Sequence, residues 1–370
     1  MNYISTRNKK LNYNFEDIFL RGLAPDGGLF LPKNIRKYSK QELKDLSKLN
    51  YIEMGANILS NFCGSNLDIN KITSLLNKAY SNFDTKEVVK IKKIGQINLL
   101  ELYHGPTLAF KDIAMQVIGL MYNELGLDQK KINIIAATSG DTGAAAISAL
   151  KNKKNINIFV LHPHEKISSV QRKIMTTCDA KNVFNLAVKG NFDDCQKTVK
   201  QMFSDEKFRE KINMSGVNSI NWARIICQIV YYFYTYFKIS SDLNFSVPTG
   251  NFGDIYAGFI AKKMGLPIDK LIIATNENDI LYRALESGEY RPLKVKTSLS
   301  PSMDIQVASN FERLLFDIMD ENDEKVKLSM EKLSKEGFFN LDNSELNKFK
   351  ENFIAEKISD NETLRIIKDF

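Results

Sequence analysis

The chain has 370 residues, 44% of them hydrophobic and 26% charged, with a net charge of +7. This fits a folded protein of about two domains rather than a disordered one, and no apolar run reaches the roughly 18–20 residues of a membrane span. The charge comes from scattered lysines with no basic stripe among aromatics, which argues against nucleic acid and leaves room for an anionic substrate. The opening MNYISTRNKKLNYNF lacks the apolar core of a signal peptide, so a cytoplasmic location is expected. Cys63, Cys178, Cys195 and Cys227 show no CxxC spacing and have no histidine near them. They predict neither a metal site nor a disulfide framework, and read as core residues in a reducing compartment.

Residues 1–90 contain the turn PDGG at 25–28 and helical patterns at 40–63 and 69–82, which predict a small N-terminal helical domain. From about residue 95 the pattern changes to short apolar runs: INLLEL (97–102), INIIAAT (132–138), INIFVL (156–161), FNLAV (184–188), NFSVPT (244–249) and LIIAT (271–275). Each is bounded by polar residues or glycine, as strands buried on both faces of a parallel sheet are. Helical patterns at 141–150, 168–178 and 219–237 lie between them. Residues 91–370 therefore predict an α/β region with right-handed crossovers, in two subdomains. After residue 320 the chain is charged with helical spacing, and it ends at Phe370 with no closing strand in sight.

In such sheets function sits in loops at the carboxyl ends of strands. In HGPTLAFKD (104–112), Lys111 follows Leu108, Ala109 and Phe110. Either it lays its stem on apolar surface with its head in water, or it is a desolvated amine kept partly neutral for covalent chemistry with a carbonyl. ATSGDTGAAA (137–146) joins a strand to an alanine-rich helix. Its N–H groups and hydroxyls suit a carboxylate, or Asp141 simply caps the helix. PTGNFGDI (248–255) has two glycines that let backbone approach an anion, yet it is neither a Walker loop nor GxGxxG. In VNSINWARIICQIVYYF (217–233), Asn221, Arg224 and Gln228 share one face, with Asn218 and Ser219 at the helix start. An arginine there meets either an anion or an internal carboxylate. The three histidines, His104, His162 and His164, are too few and too scattered for a triad or a metal site.

Together with APDGGLFLP (24–32) and SLSPSMDI (298–305), these segments resemble threonine synthases, pyridoxal-phosphate enzymes of fold type II (the tryptophan-synthase-β-like group). The resemblance runs from about residue 10 onward, in the family's order. It implies a fold-type II architecture with doubly wound, mostly parallel sheets. It also implies that Lys111 is the Schiff-base lysine and that Gly250, Asn251, Phe252 and Gly253 hold the cofactor phosphate. Thr138, Ser139 and Thr142 would bind the substrate carboxylate, with Asp141 facing the phenolic oxygen of pyridoxal phosphate. Asn218, Ser219 and Arg224 would bind the phosphate of O-phospho-L-homoserine.

The implied reaction converts O-phospho-L-homoserine and water to L-threonine and phosphate, with Lys111 moving protons at Cα and Cβ. Two other readings stay open: a relative that makes 2-oxobutyrate and phosphate from the same substrate, and a non-catalytic member. The second arises because the family's pattern continues through a DPH-type segment and a further strand and loop, which are expected to be missing here. The oligomeric state is not set by the sequence.

Overall fold

The computed structural model describes residues 1–65, 67–125, 131–165, 167–190, 192–239 and 242–369. In chain order the first elements are β1 (Tyr3–Ser5), β2 (Asn8–Tyr13), α1 (Phe15–Arg21), β3 (Phe30–Pro32), α2 (Lys40–Leu46), α3 (Tyr51–Ser60) and α4 (Ile69–Tyr80). A hairpin, β4 (Lys90–Ile94) and β5 (Ile97–Glu101), leads into α5 (Lys111–Glu124). Then come β6 (Ile132–Ala137), α6 (Asp141–Leu150), β7 (Ile156–Pro163), α7 (Ser169–Thr176), β8 (Val183–Val188), α8 (Phe192–Ser204), α9 (Glu206–Lys211), β9 (Met214–Ser215) and α10 (Trp222–Ile239). The remainder is β10 (Leu243–Pro248), α11 (Gly253–Lys263), β11 (Ile268–Thr275), α12 (Ile280–Ser287), β12 (Glu289–Tyr290), α13 (Phe311–Ile318), α14 (Asp323–Glu336), β13 (Phe339–Asn340), α15 (Asn343–Asn352), β14 (Phe353–Lys357) and α16 (Asp360–Asp369).

The chain forms two compact units. The first comprises Met1–Asn2, Tyr13–Leu23 and Lys40–Lys238; the second comprises Tyr3–Asn12, Ala24–Ser39 and Ile239–Phe370. The N-terminal region carries the helices that its periodicity predicts, and also the three-stranded sheet β2-β1-β3, whose strands are too short to show a period.

The first unit is built on a parallel sheet in the order β8-β7-β6-β9. Alternate residues of its strands point to opposite faces. Ile135, Ala137 and Leu161 pack with Cys195 and Val199 of α8, while Ile134, Ala136, Ile158 and Val160 are fully buried at the other positions. Helices α5 and α6 touch closely because Gly119 has no Cβ, where one would stand 2.5 Å from the carbonyl oxygen of Ala149. The alanine run 144–146 serves the same close packing.

The second unit holds the parallel sheet β10-β11-β14 and the small pair β12-β13. Its core is aromatic: Phe252 meets Phe311 at 5.5 Å and Phe353 at 5.6 Å between ring centroids, and Tyr290 stacks on Phe311 at 5.0 Å.

Two expectations are corrected. INLLEL does not join a parallel sheet; Ile97–Glu101 pairs antiparallel with Lys90–Ile94 around Gly95 and Gln96, and Ile97 is 52% exposed. The two-residue turn, with Gly95 at positive φ, makes this a local hairpin whatever its apolar content. The sheet also does receive a strand after residue 320: β14 lies parallel beside β11. Its only buried side chains are Phe353 and Ala355, so two core positions inside a charged helical stretch gave no visible alternation.

Candidate active site

Lys111 opens α5 and is 9% exposed, which rules out a head in water. Its Nζ lies 3.2 Å from Oδ2 of Asp141 and 4.7 Å from the centre of the Phe110 ring. The amine thus stands against a carboxylate and not in purely apolar surroundings. A buried pair adds little net stability, because desolvating both ions offsets their attraction. Such a pair is better explained by chemistry than by folding.

The turn before α5 is fastened by Asp112, whose Oδ2 accepts from the backbone N–H of Thr107 at 2.8 Å and from its hydroxyl at 2.9 Å. Burial pushes the Asp112 carboxyl up from its ordinary value, against the pull of these bonds and of one from Gln116. A Cβ on Gly105 would run into the Asp112 side chain. The segment Gly105–Asp112 is therefore clamped before it delivers Lys111.

Asp141 is the first residue of α6, in the loop that follows β6. Thr138 shapes this loop: its buried Oγ1 accepts from the N–H groups of Gly140 and Gly143, both at 2.9 Å. Ser139 and Thr142 stand half-buried on either side of Gly140 and Asp141. Gln171, at the start of α7, donates from Nε2 to Oδ1 of Asp141. Its own Oε1 accepts from Ser168 Oγ at 3.0 Å, which fixes which end of the amide faces the carboxylate. Sequence reasoning missed Gln171, although the S-x-x-Q spacing from Ser168 marks a helix start that would have drawn attention to it.

The third segment differs from expectation in its start. Helix α10 begins at Trp222, and Asn218 and Ser219 lie in the turn before it. Asn221 is spent on structure: its amide donates to the carbonyls of Phe19 at 2.9 Å and Gly216 at 3.3 Å, and its oxygen accepts from Ala223 N–H at 3.0 Å. Arg224 is 3% exposed, with Nη1 donating to the Val217 carbonyl at 3.2 Å. Asn218 Oδ1 is buried with no hydrogen-bond partner among the described residues. A buried amide oxygen of this kind is suited to a polar ligand.

In the second unit, the loop after β10 runs through Gly250, Asn251 and Phe252 to Gly253, the first residue of α11. Phe252 has left-handed backbone angles, φ 64° and ψ 5°, and is fully buried. The strain of roughly 1–2 kcal/mol is outweighed by burying the ring, worth roughly 2–3 kcal/mol. A Cβ on Gly250 would come 3.0 Å from the Ser302 carbonyl oxygen and 3.0 Å from Ile305 Cδ1, so the loop lies flat on the turn Pro301–Met303. That turn is anchored by Asp304, which accepts from Ser298 Oγ at 2.6 Å, Asn276 Nδ2 at 2.8 Å and Asn278 Nδ2 at 3.1 Å. A tight, glycine-lined loop at a helix N-terminus is a fitting cradle for a phosphate.

Parallel sheets with a buried, ion-paired lysine opening one helix and a phosphate-type loop opening another define a pyridoxal-phosphate enzyme of fold type II. Residues 2–80 match the family model for the threonine synthase N terminus, and residues 89–337 match that for pyridoxal-phosphate-dependent enzymes. The threonine synthase of Pseudomonas aeruginosa is 42% identical over 374 aligned positions, covering 100% of this chain and 80% of that protein. Among solved structures, a pyridoxal-phosphate-bound threonine synthase from Brucella melitensis has a TM-score of 0.92 and 43% identity, covering 98% of this chain and 79% of that one. A yeast threonine synthase has a TM-score of 0.92 and 41% identity, covering 100% and 78%. The chain belongs to the threonine synthase family. It is a pyridoxal-phosphate-dependent lyase whose product is threonine.

Proposed function

We propose that the chain takes O-phospho-L-homoserine and water to L-threonine and inorganic phosphate, with Lys111 as the residue that holds pyridoxal phosphate. The observation that carries this is the burial of Lys111 against Asp141, 3.2 Å away, at the head of a helix. When bound, pyridoxal phosphate supplies an electron sink for negative charge developing at the substrate's Cα. Gly250, Asn251, Phe252 and Gly253 would bind its phosphate through backbone N–H groups.

Thr138, Ser139 and Thr142, at the N-terminal end of α6, hold the substrate carboxylate where donors and the helix dipole favour it. Asn218, Ser219 and Arg224 hold the substrate phosphate and stabilise its charge as it departs from Cγ. Lys111 would take the protons from Cα and Cβ, give one to Cγ where the phosphate has left, and return one to Cα. Asp141 keeps the Lys111 amine within reach during this exchange. Water adds at Cβ, and threonine is released.

The reaction belongs to threonine biosynthesis in the aspartate family of amino acids, and we place it in the cytoplasm. Four free cysteines, three of them buried, support a reducing compartment. No described helix is long and apolar enough to cross a membrane. The test is product analysis with O-phospho-L-homoserine and added cofactor. Threonine and phosphate in equal amounts support the reading; 2-oxobutyrate would assign the chain to the alternative lyase chemistry.

A further inference from the structure

Asn251 sits in the middle of the glycine loop, and its carbonyl oxygen is gripped twice by one residue. The backbone N–H of Asn310 donates to it at 3.0 Å and the Asn310 side-chain amide at 3.1 Å. The orientation of that amide is not free. Its Oδ1 accepts from Nη1 of Arg313, so Nδ2 must be the end that faces Asn251. Arg313 is itself fully buried and donates from Nε to the Phe30 carbonyl at 3.0 Å, which fixes the guanidinium plane. Burial pulls its pKa down to about 10, and the Coulombic pulls of Tyr256 and then Glu312 oppose this. The group that orders Asn310 is therefore held by a rigid interior, not by solvent.

A peptide group is planar and trans, so its carbonyl and its N–H point in opposite directions. Holding the Asn251 carbonyl toward Asn310 turns the Phe252 N–H the other way. The left-handed angles of Phe252 followed by the helical Gly253 are the kind of sequence that gathers successive N–H groups into an anion-binding concavity. Without the double grip, the 251–252 peptide could rotate and present its carbonyl oxygen, which repels a phosphate.

We infer that Asn310 is a positioning residue for the cofactor phosphate, acting through the Asn251 carbonyl with Arg313 behind it. The inference rests on reading residues 250–253 as the phosphate loop and deepens that reading. Asn310→Asp is the decisive variant. It keeps the shape and gives Arg313 a charged partner, but it sets an oxygen against the Asn251 carbonyl where an N–H had been.

The measurement is the affinity of the cofactor-free chain for pyridoxal 5′-phosphate and for pyridoxal, which lacks the phosphate, together with the melting temperature. In the native chain the phosphate should confer a large preference. In Asn310→Asp that preference should fall by roughly ten- to a hundredfold, the scale of one lost hydrogen bond plus an acceptor clash. Pyridoxal affinity should stay where it was, and the melting temperature should fall only by what the lost hydrogen bond costs. Asn310→Ala keeps the backbone grip and should lose less.

A melting temperature that drops while both affinities fall together would show that Asn310 is only a packing residue and overturn the inference. Unchanged phosphate preference in both variants would overturn it as well. Gly250→Val, placed against the Ser302 carbonyl, separates the two levels. If it abolishes phosphate preference while the Asn310 variants do not, the loop reading stands and Asn310 is dismissed; if it too has no effect, the loop reading itself is wrong.

Discussion

Gln171 lies across Gly140 so closely that any side chain on the glycine would collide with its amide. The same amide reaches on to Asp141, the partner of Lys111. Gly140 has φ of +140°, which L side chains rarely adopt, so any substitution there is strained and must also displace the Gln171 amide. Gly140→Ala should destabilise the chain by about 1–3 kcal/mol and push Gln171 off Asp141. Denaturant midpoints check the first effect, and a slower attachment of cofactor to the cofactor-free protein checks the second. A variant with native attachment kinetics would mean that Gln171 does nothing for the pair.

Lys111→Ala should prevent covalent attachment of the cofactor and lower threonine formation by roughly a thousandfold or more. Borohydride reduction followed by peptide mapping locates the pyridoxyl group in the native chain. Finding it on any lysine other than Lys111 would refute the assignment.

Arg224→Ala should weaken substrate binding by about 2–5 kcal/mol if the guanidinium meets a buried phosphate, with cofactor absorbance nearly unchanged. Titration with O-phospho-L-homoserine reads this directly. A fall in melting temperature with native substrate affinity would instead make Arg224 a partner of backbone carbonyls such as that of Val217 and nothing more.

Asp279 gives a pH dependence of known sign. Burial disfavours its charge, but hydrogen bonds from Arg283 at 2.8 Å and Lys357 at 2.9 Å outweigh this and hold the carboxyl below its ordinary value of 3.8. A depressed carboxylate contributes stability that is complete above the unfolded value and is lost as pH falls through the folded one. Asn in its place should therefore cost about 1–2 kcal/mol at pH 7, allowing for the exposed half of Lys357. The gap between the two proteins should begin to narrow at about pH 4 and close only as pH falls through the lower folded value. Urea midpoints from pH 7 down to about pH 2 test it; a gap that persists at the acid end would assign the effect to shape rather than charge.

The sequence was readable in most places where a pattern was local and apolar, although the run at 97 hid its antiparallel pairing. The runs at 132, 156, 184, 244 and 271 became β6, β7, β8, β10 and β11, and the helix expected at 141–150 is α6 within the same bounds. Lys111 drew attention because a charge among Leu108, Ala109 and Phe110 conflicts with its setting. What stayed hidden depends on contacts between distant positions. Gln171 meets Asp141 across 30 residues and Asn310 meets Asn251 across 59, so neither leaves a periodic trace. Asn221 looked like part of a polar face until its bonds to Phe19 and Gly216 were seen. Strand β14 was invisible because two buried side chains are too few to define an alternation.

The second compact unit draws on both ends of the chain, and this sets a clock on its assembly. Arg7, between β1 and β2, forms its ion pair with Glu312, 305 residues later. A ribosome adding about 5–20 residues per second needs roughly 15 to 60 seconds to cover that interval. Throughout it, the buried face of β1 and β3, with Tyr3, Ile4, Phe30 and Leu31, is without the Glu312 and Arg313 side chains that fasten this region in the finished molecule. Apolar strands left waiting in a nascent chain are the kind of surface that favours aggregation before folding is complete. The parallel sheet from β6 to β9 needs nothing beyond residue 215 for its own pairing and can form while the remainder is still being made.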